Sequence, residues 1–562
     1  MSVFSSYAYL LRKSPVARTA SWLLLIAAMA FFLTFFSRKS NQYPQILSIT
    51  PQIAIPGEEM TITGVNFGSE KGSSFVEISG SKVTEKAFLL WSDSEIRFSI
   101  PQNVRDGLVF VGSSAGKSNP AFFVNRESIP QTLTGSEQNG LSPVIDSLSP
   151  QSACVGQIVT ITGGAFGAVR GSSKVFFSAS CSASGAKVGE GDVLFLPARE
   201  SNFDYVSWSS SAITVKVPDG ATSGNLFVQT PSGKSSVEHI TVDSPLGEKR
   251  LHSKKVYVIQ VSADIAPREA GQDGAILFYV PRPVLFSSQP DCILSDVSPE
   301  PFIADDAYNV IHRMPLKRLE EGTQRLNQTF TVTVYAVAGG LKAKPVPSYK
   351  DKKSPLYVRH TSASAYIPSD DKDVLDLLQE IIGAQKNPYE QAKAIYTYMT
   401  QNYEVQDKIR SGKVSALDLI RRKKGDACDF AILYASLCQA AGIPAIPMSG
   451  ILVRTGGESQ VHWWNEIYFE GYGWLPVDVA LGTSDDVIAD TGSISPNEFY
   501  FGNMDNQHVT FSRGMSEIKR SWPNGKASVR ERTYAMQSFW EEGSSSASYS
   551  VLWADPVVLE IQ

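Results

Sequence analysis

Cysteine is scarce in this sequence. Five residues among 562 are too few to staple small domains, which excludes a disulfide scaffold. The first of them is Cys154, so there is no residue on offer for an N-terminal thioether lipid anchor. Histidine is nearly as rare, with six, and cysteine and histidine nowhere fall at metal-ligand spacing. Neither an EF-hand loop nor a Gly-rich phosphate loop occurs. The expectation is therefore no cofactor and no resident metal. A basic excess is also missing: 51 Lys and Arg stand against 56 Asp and Glu, a net charge of −5, so nucleic acid is not an expected partner. A hydrophobic content of 43% argues against both wholesale disorder and a polytopic membrane protein. What the chain does have is length: at ~150 residues per domain it predicts about four domains.

The densest apolar run lies near the start. Nineteen uncharged residues separate Arg18 from Arg38, and as a helix they would span about 28 Å, the thickness of a hydrocarbon core. Ala28-Met29-Ala30 resembles a signal-peptidase site, but the run continues through Phe31, Phe32, Leu33 and Phe35, which favours retention over cleavage. Arg12, Lys13 and Arg18 precede the run, and Arg38 and Lys39 follow it. The balance, with the amino terminus, places the N-terminus in the cytoplasm. Residues 1–40 are thus expected to be a cytoplasmic stub and single transmembrane helix, with the bulk extracytoplasmic, at a bacterial inner membrane facing the periplasm or at the cell surface.

Next comes a duplication. Thr61-Ile62-Thr63-Gly64 recurs as Thr160-Ile161-Thr162-Gly163, and Phe67-Gly68 as Phe166-Gly167, each at an offset of 99. Trp91-Ser92 recurs as Trp208-Ser209 and Gly116-Lys117-Ser118 as Gly233-Lys234-Ser235, at an offset of 117. Two constant offsets mean one ancestral module copied, with about 18 extra residues in the second copy between 177 and 208. Short alternating strands separated by Gly, Pro and Ser predict an all-β sandwich for each copy. The shared Pro…Gly…Thr-Ile-Thr-Gly-x-x-Phe-Gly pattern resembles the IPT/TIG family of immunoglobulin-like domains, over 44–124 and 142–242. That resemblance implies spacer or docking roles, with an envelope protein or glycan as the docked partner. Cys154 and Cys181 both fall in the second copy and are open to two readings, a disulfide in an oxidising compartment or two free thiols. Residues 126–141, rich in Ser, Gln and Gly, read as a linker.

Alternation resumes in Val256-Tyr257-Val258-Ile259, Ile276–Val280 and Phe330–Tyr335, predicting a further β-sandwich over 250–366. The period then changes. Val374, Leu377, Leu378, Ile381 and Ile382 mark an amphipathic helix, and Asn387-Pro388-Tyr389-Glu390 starts another. Asp370, Asp371 and Asp373 suit a helix N-terminus rather than a metal.

Gly425-Asp426-Ala427-Cys428 precedes an apolar helical stretch ending at Gly442-Ile443-Pro444. Asp426 as N-cap would put Cys428 in the first turn, where the helix dipole favours a thiolate. His462 sits in an alternating strand, Val461–Tyr468, and Asp478 ends the next, after a Gly471-Tyr472-Gly473 turn. A thiol, an imidazole and a carboxylate so placed could meet as nucleophile, base and orienting acid. Spacing alone does not decide this, because an isolated Cys in an apolar helix is more often inert packing. Gly-Asp-Ala-Cys-Asp-Phe-Ala, His-Trp-Trp-Asn-Glu-Ile-Tyr and Gly-Trp-Leu-Pro-Val-Asp, in this order, resemble the transglutaminase-like family of papain-like cysteine enzymes, over about 370–480. The core is accordingly set at 367–480, with 481–562 a C-terminal extension.

The resemblance implies an α+β papain-like core in which Cys428 attacks an amide carbonyl of a protein or peptide substrate to give a thioester. His462 would carry the proton and Asp478 orient the imidazole. An amine acceptor would give transamidation and water would give hydrolysis; a third reading is an inactive core in a binding or scaffolding protein. Trp463 and Trp464 are candidates for shaping the acyl pocket. Cys438 reads as core, and His508 as structural. Ile446 stands where an Arg commonly follows Gly-Ile-Pro-Ala in the family, which puts an ion pair in question.

Overall fold

The computed structural model describes residues 15–16 and 43–562, except 52, 55–56, 79–80, 102–103, 105–106, 126–141, 183–192, 269–273, 305, 307, 320–321, 344–345, 485–493, 516–525, 537–538 and 545–546. The expected transmembrane helix and the 126–141 linker lie outside the described residues. Among those described, no helix is long and apolar enough to cross a membrane. The chain divides into two units, Met1–Ser136 and Glu137–Gln562.

The first unit holds one β-sandwich. One sheet runs Gln45–Thr50, Glu59–Val65, Glu95–Ser99, Phe88–Trp91; the other runs Ile53–Ala54, Ala121–Asn125, Gly107–Ser113, Phe75–Ile78. Strand alternation puts Met60, Ile62, Ile96 and Phe98 inside against Val76, Val109, Val111 and Phe123. Gly64 is fixed by close approach: a Cβ there would lie 2.0 Å from the Gln45 carbonyl oxygen.

The second unit opens with the same topology. Val144–Ser149, Ile158–Gly164, Ala212–Lys216 and Tyr205–Trp208 form the first sheet, and a Cβ on Gly163 would lie 2.0 Å from the Val144 carbonyl oxygen. The Trp91 indole donates to the Phe67 carbonyl, and the Trp208 indole to that of Phe166. The extra residues of this copy lengthen a strand, Lys174–Ser182 against Phe75–Ile78 in the first copy. Its end, at Cys181 and Ser182, pairs in parallel with Leu251 and His252 of β1 (Arg250–Pro267). One sheet therefore runs from this module into the third β-region. Cys154, Cys292, Cys428 and Cys438 are free thiols, so no disulfide joins Cys154 to Cys181.

The third β-region contains β1, β2 (Ala275–Pro281), β3 (Asp291–Ser298), β4 (Asn309–Pro315) and β5 (Gln324–Ala338). β5 lies between β1 and β3, and β2 pairs with β4. Helices follow: α1 (Lys372–Ile382), α2 (Pro388–Asn402), α3 (Ala416–Arg422) and α4 (Ala427–Ala440). A four-stranded sheet then orders β8 (Gly473–Val477), β7 (Ser459–Phe469), β6 (Ala445–Val453) and β9 (His508–Arg513). The short helix α5 (Val479–Thr483) starts directly after β8.

The last stretch returns to the β-region. β10 (Lys526–Val529) pairs with β11 (Trp540–Gly543), and β11 with β2; β12 (Tyr549–Trp553) and β13 (Val557–Ile561) both pair with β1. Residues expected as an extension are thus strands of the same sheets.

Candidate active site

α4 is buried from Cys428 to Gln439. Its start is fixed by a reciprocal capping box: the Asp429 N–H donates to Asp426 Oδ1 at 3.1 Å, and the Asp426 N–H to Asp429 Oδ2 at 3.3 Å. Phe430, Leu433 and Leu437 have no exposure; each such side chain contributes about 1.5–3 kcal/mol by burial. Cys428 therefore stands in the first turn, as the sequence implies, and is 2% exposed.

Arg532, from the segment between β10 and β11, crowns this helix start. Its guanidinium bonds Asp426 Oδ1 and Oδ2 at 2.8 and 2.9 Å and Asp429 Oδ1 at 2.7 Å, and donates to the carbonyls of Gly412 and Lys413 at 3.1 Å each. Arg410 supplies its backbone N–H to Asp426 at 2.8 Å and an ion pair to Asp429 at 3.3 Å. Burial, then the Asp426 charge, push the Cys428 thiol well above its ordinary value, with Arg532 pulling the other way. Burial thus opposes the thiolate expected at the helix start.

His462 lies on β7 and Asp478 at the end of β8, as N-cap of α5. Antiparallel pairing of Asn465 with Val477 brings them together, and His462 Nε2 meets Asp478 Oδ2 at 2.6 Å. A second imidazole uses the same oxygen: His508 Nε2 lies 3.1 Å from Asp478 Oδ2, and its Nδ1 2.8 Å from Asp505 Oδ1. Asp478 Oδ1 accepts the Leu481 N–H at 2.9 Å. Burial opposes ionisation of Asp478, but His462 and His508 outweigh it and hold the carboxyl far below the usual range. Burial likewise opposes the charged form of His508, yet Asp505 and Asp478 push it up to about 9.

Alternation along β7 separates two faces. Trp463 lines a narrow cleft together with Cys428, Arg532 and Met536, and Asn465 Nδ2 donates to the Ala431 carbonyl of α4 at 2.9 Å. His462 and Trp464 take the other face, their rings stacked at 6.1 Å, with Trp464 4.9 Å from the His508 ring. Among the described residues no hydrogen bond joins Cys428 to His462; the imidazole bonds Asp478. Trp463 lines the thiol's cleft, and its indole N–H is buried without an acceptor among the described residues. Trp464 lines a separate cavity with His508, Asp505 and Lys249.

Cys438 is fully buried core. Ile446 faces Glu466 across the β6–β7 ladder, and Glu466 takes its cation from β9 instead, Arg513 Nε at 2.7 Å. The donor atoms of His462, Asp478 and His508 lie within 4.8 Å of one another, which is the composition of a site that could hold a divalent cation. Their 2.6 and 3.1 Å separations are ordinary hydrogen bonds, and shared protons satisfy the cluster. Sequence reasoning set His508 aside as structural and did not single out Asp505, Tyr500 or Arg532. The Asp505-Asn506-Gln507-His508 run, rich in polar groups between buried strands, was the available signal for the first two.

The model of the transglutaminase-like superfamily matches residues 375–479, and that of the IPT/TIG domain residues 44–124. The chain carries a transglutaminase-like core and an IPT/TIG domain. None of the curated proteins matches it. Among solved structures, it is similar to a "putative cysteine protease" from Cytophaga hutchinsonii, with 16% identity, 56% of this chain and 91% of that one covered, and a TM-score of 0.34. The periplasmic domain of TgpA from Pseudomonas aeruginosa is 15% identical over 42% of this chain and 88% of that one, with a TM-score of 0.24. At these scores neither likeness carries an argument about function.

Proposed function

We propose that the chain is a cysteine enzyme acting on amide bonds of proteins or peptides through a thioester on Cys428. The observation that carries this reading is the buried 2.6 Å pair of His462, on a strand packed against the helix that bears the thiol, and Asp478, the N-cap of α5. With Nε2–H given to Asp478, the free Nδ1 of His462 is the atom that takes the thiol proton and returns it to the leaving amine. Asp478, locked by the Leu481 N–H, keeps that tautomer. The unpartnered Trp463 N–H is a donor for the oxygen that gains charge as sulfur attacks. The resting arrangement is closed and His462 faces away from the thiol's cleft, so this reading requires the two groups to approach when substrate enters. The TIG modules serve as spacer and docking surface for an envelope protein or glycan, and the residues between Arg18 and Arg38 anchor the chain with its bulk outside the cytoplasm.

A second reading, an inactive core in a binding protein, is favoured by the burial of the thiol, which opposes its ionisation. One experiment separates the two. The full chain is incubated with a glutamine-bearing peptide from pH 5 to 9, acid-quenched and analysed by intact mass, beside Cys428→Ser and His462→Ala. An acyl adduct on Cys428 that is suppressed in His462→Ala supports the enzyme. No acyl adduct on Cys428 at any pH, with no peptide product released, sinks it. A fluorescent primary amine offered with a glutamine-bearing peptide then distinguishes transamidation from hydrolysis.

A further inference from the structure

The second imidazole of the site is held more completely than the first. Both nitrogens of His508 face carboxylate oxygens, Asp505 Oδ1 at 2.8 Å and Asp478 Oδ2 at 3.1 Å. A carboxylate only accepts, and a neutral imidazole has one N–H, so this geometry is satisfied only when both nitrogens carry protons. Asp505 is in turn fixed by the Gln507 N–H at 2.7 Å and the Tyr500 hydroxyl at 2.9 Å. His508 is 3% exposed and Asp478 has no exposure. The two imidazole rings sit 5.6 Å apart and share one carboxylate oxygen.

We propose that His508, as a buried imidazolium clamped between Asp505 and Asp478, is a positioning residue of the site. It fixes the Asp478 carboxylate that in turn orients His462. Two positive rings on one buried oxygen repel, so His508 opposes protonation of its neighbour while leaving the Nε2–H to Asp478 bond intact. The inference rests on the reading of His462 as the base. It departs from an ordinary orienting carboxylate, which raises the basicity of its histidine; here the second cation cancels part of that pull. The other titratable groups facing the cluster are Tyr500, Tyr396 of α2 beside Asp478, Tyr257 of β1 beside Asp505, and Lys249 and Glu466 across the adjoining cavity.

The test uses the full chain labelled with 13Cε1-histidine, whose six histidines are assigned by single substitution. Each ring is titrated by NMR from pH 5 to 10. In the wild type His508 stays doubly protonated at pH 7.5. His508→Gln keeps an N–H donor and removes the charge, and is expected to raise the His462 pKa by roughly half to two units, from one charge at this ring separation. Asp505→Asn should lower the His508 pKa and raise that of His462 together, opposite movements that a purely structural defect would not produce. A neutral His508 in the wild type at pH 7.5 overturns the proposal even if neither variant folds, as does a His462 titration unmoved or lowered in His508→Gln. These titrations do not depend on Cys428 reactivity, so loss of the enzymatic reading and loss of this inference are separable.

Discussion

Replacing Arg532 with Met tests whether the return of residues 481–562 is what holds the helix start together. The side chain is 2% exposed, and its five hydrogen bonds span two carboxylates and two carbonyls. Methionine fills much of the volume and satisfies none of them. Asp426 and Asp429, 1% and 0% exposed, would keep only each other's N–H groups and Arg410. Breaking a buried ion pair by removing one partner costs about 3–5 kcal/mol, since the other charge stays desolvated. Arg532→Lys retains the charge but not the fork, and one ammonium cannot reach both carboxylates and both carbonyls; it should fall about midway. Urea unfolding followed by pulse proteolysis reads the order wild type, Lys, Met. A Met variant within about 1 kcal/mol of wild type, or a Lys variant equal to it, would refute the reasoning, because either result means the carboxylates are not dependent on this guanidinium.

Three further outcomes are expected. Lys249 and Asp219 form a buried pair at 2.6 Å whose carboxylate also accepts the Trp474 N–H and the Ser287 hydroxyl; Lys249→Met should cost about 3 kcal/mol and expose new protease cuts within 200–250, and an unchanged digest would count against a locked junction. His508 has a folded pKa raised to about 9 from an ordinary value near 6.5, so its stabilising share is fully present below pH 6.5 and lost as pH rises through 9, about 3 kcal/mol in all. Asp478 and Asp505, both lowered, contribute above the ordinary carboxylate range and lose that share as pH falls. Urea midpoints at pH 6, 7.5 and 9.5 should therefore decline on the alkaline side, and His508→Gln should flatten that decline. Gly163→Ala forces a Cβ to 2.0 Å from a backbone oxygen, a clash that should cost about 1–3 kcal/mol; a neutral result in chemical unfolding would mean the Thr-Ile-Thr-Gly motif is not held by that contact.

The duplication was legible because each copy repeats a local steric demand. Gly64 and Gly163 each pass a backbone oxygen that no side chain could clear, so the motif marks the fold directly. The Asp426 cap was legible for the same reason, since capping is settled within four residues. Arg532 was not: it meets its partners 103 and 106 positions away, and no local pattern selects that pairing. The strand character of Val557–Ile561 shows in its composition, but its pairing with Tyr257–Gln260 depends on which edge of β1 is free. Insertion length is an intermediate case. The difference between the offsets 99 and 117 reveals extra residues, and only the sheet shows their use: a lengthened strand reaching Leu251, so the second module is part of the third β-region's sheet.

The charges of the site tie these elements into one chemical statement. A cysteine enzyme can rest as a thiolate beside an imidazolium or as a thiol beside a neutral imidazole, and the surroundings decide. Here the thiol is buried next to Asp426 and is driven toward its neutral form, while the positive charge near Asp478 belongs to His508. Both forces act in the same direction, against a resting ion pair. On the proposed reading the proton leaves sulfur only as sulfur meets the carbonyl, with Asp478 and His508 already fixed and little reorganisation left to the reacting groups. A closed cleft suits that order. An unpaired thiolate in a 2% exposed site would be costly to maintain, whereas a neutral thiol is not, and its activation can wait for the substrate that opens the cleft.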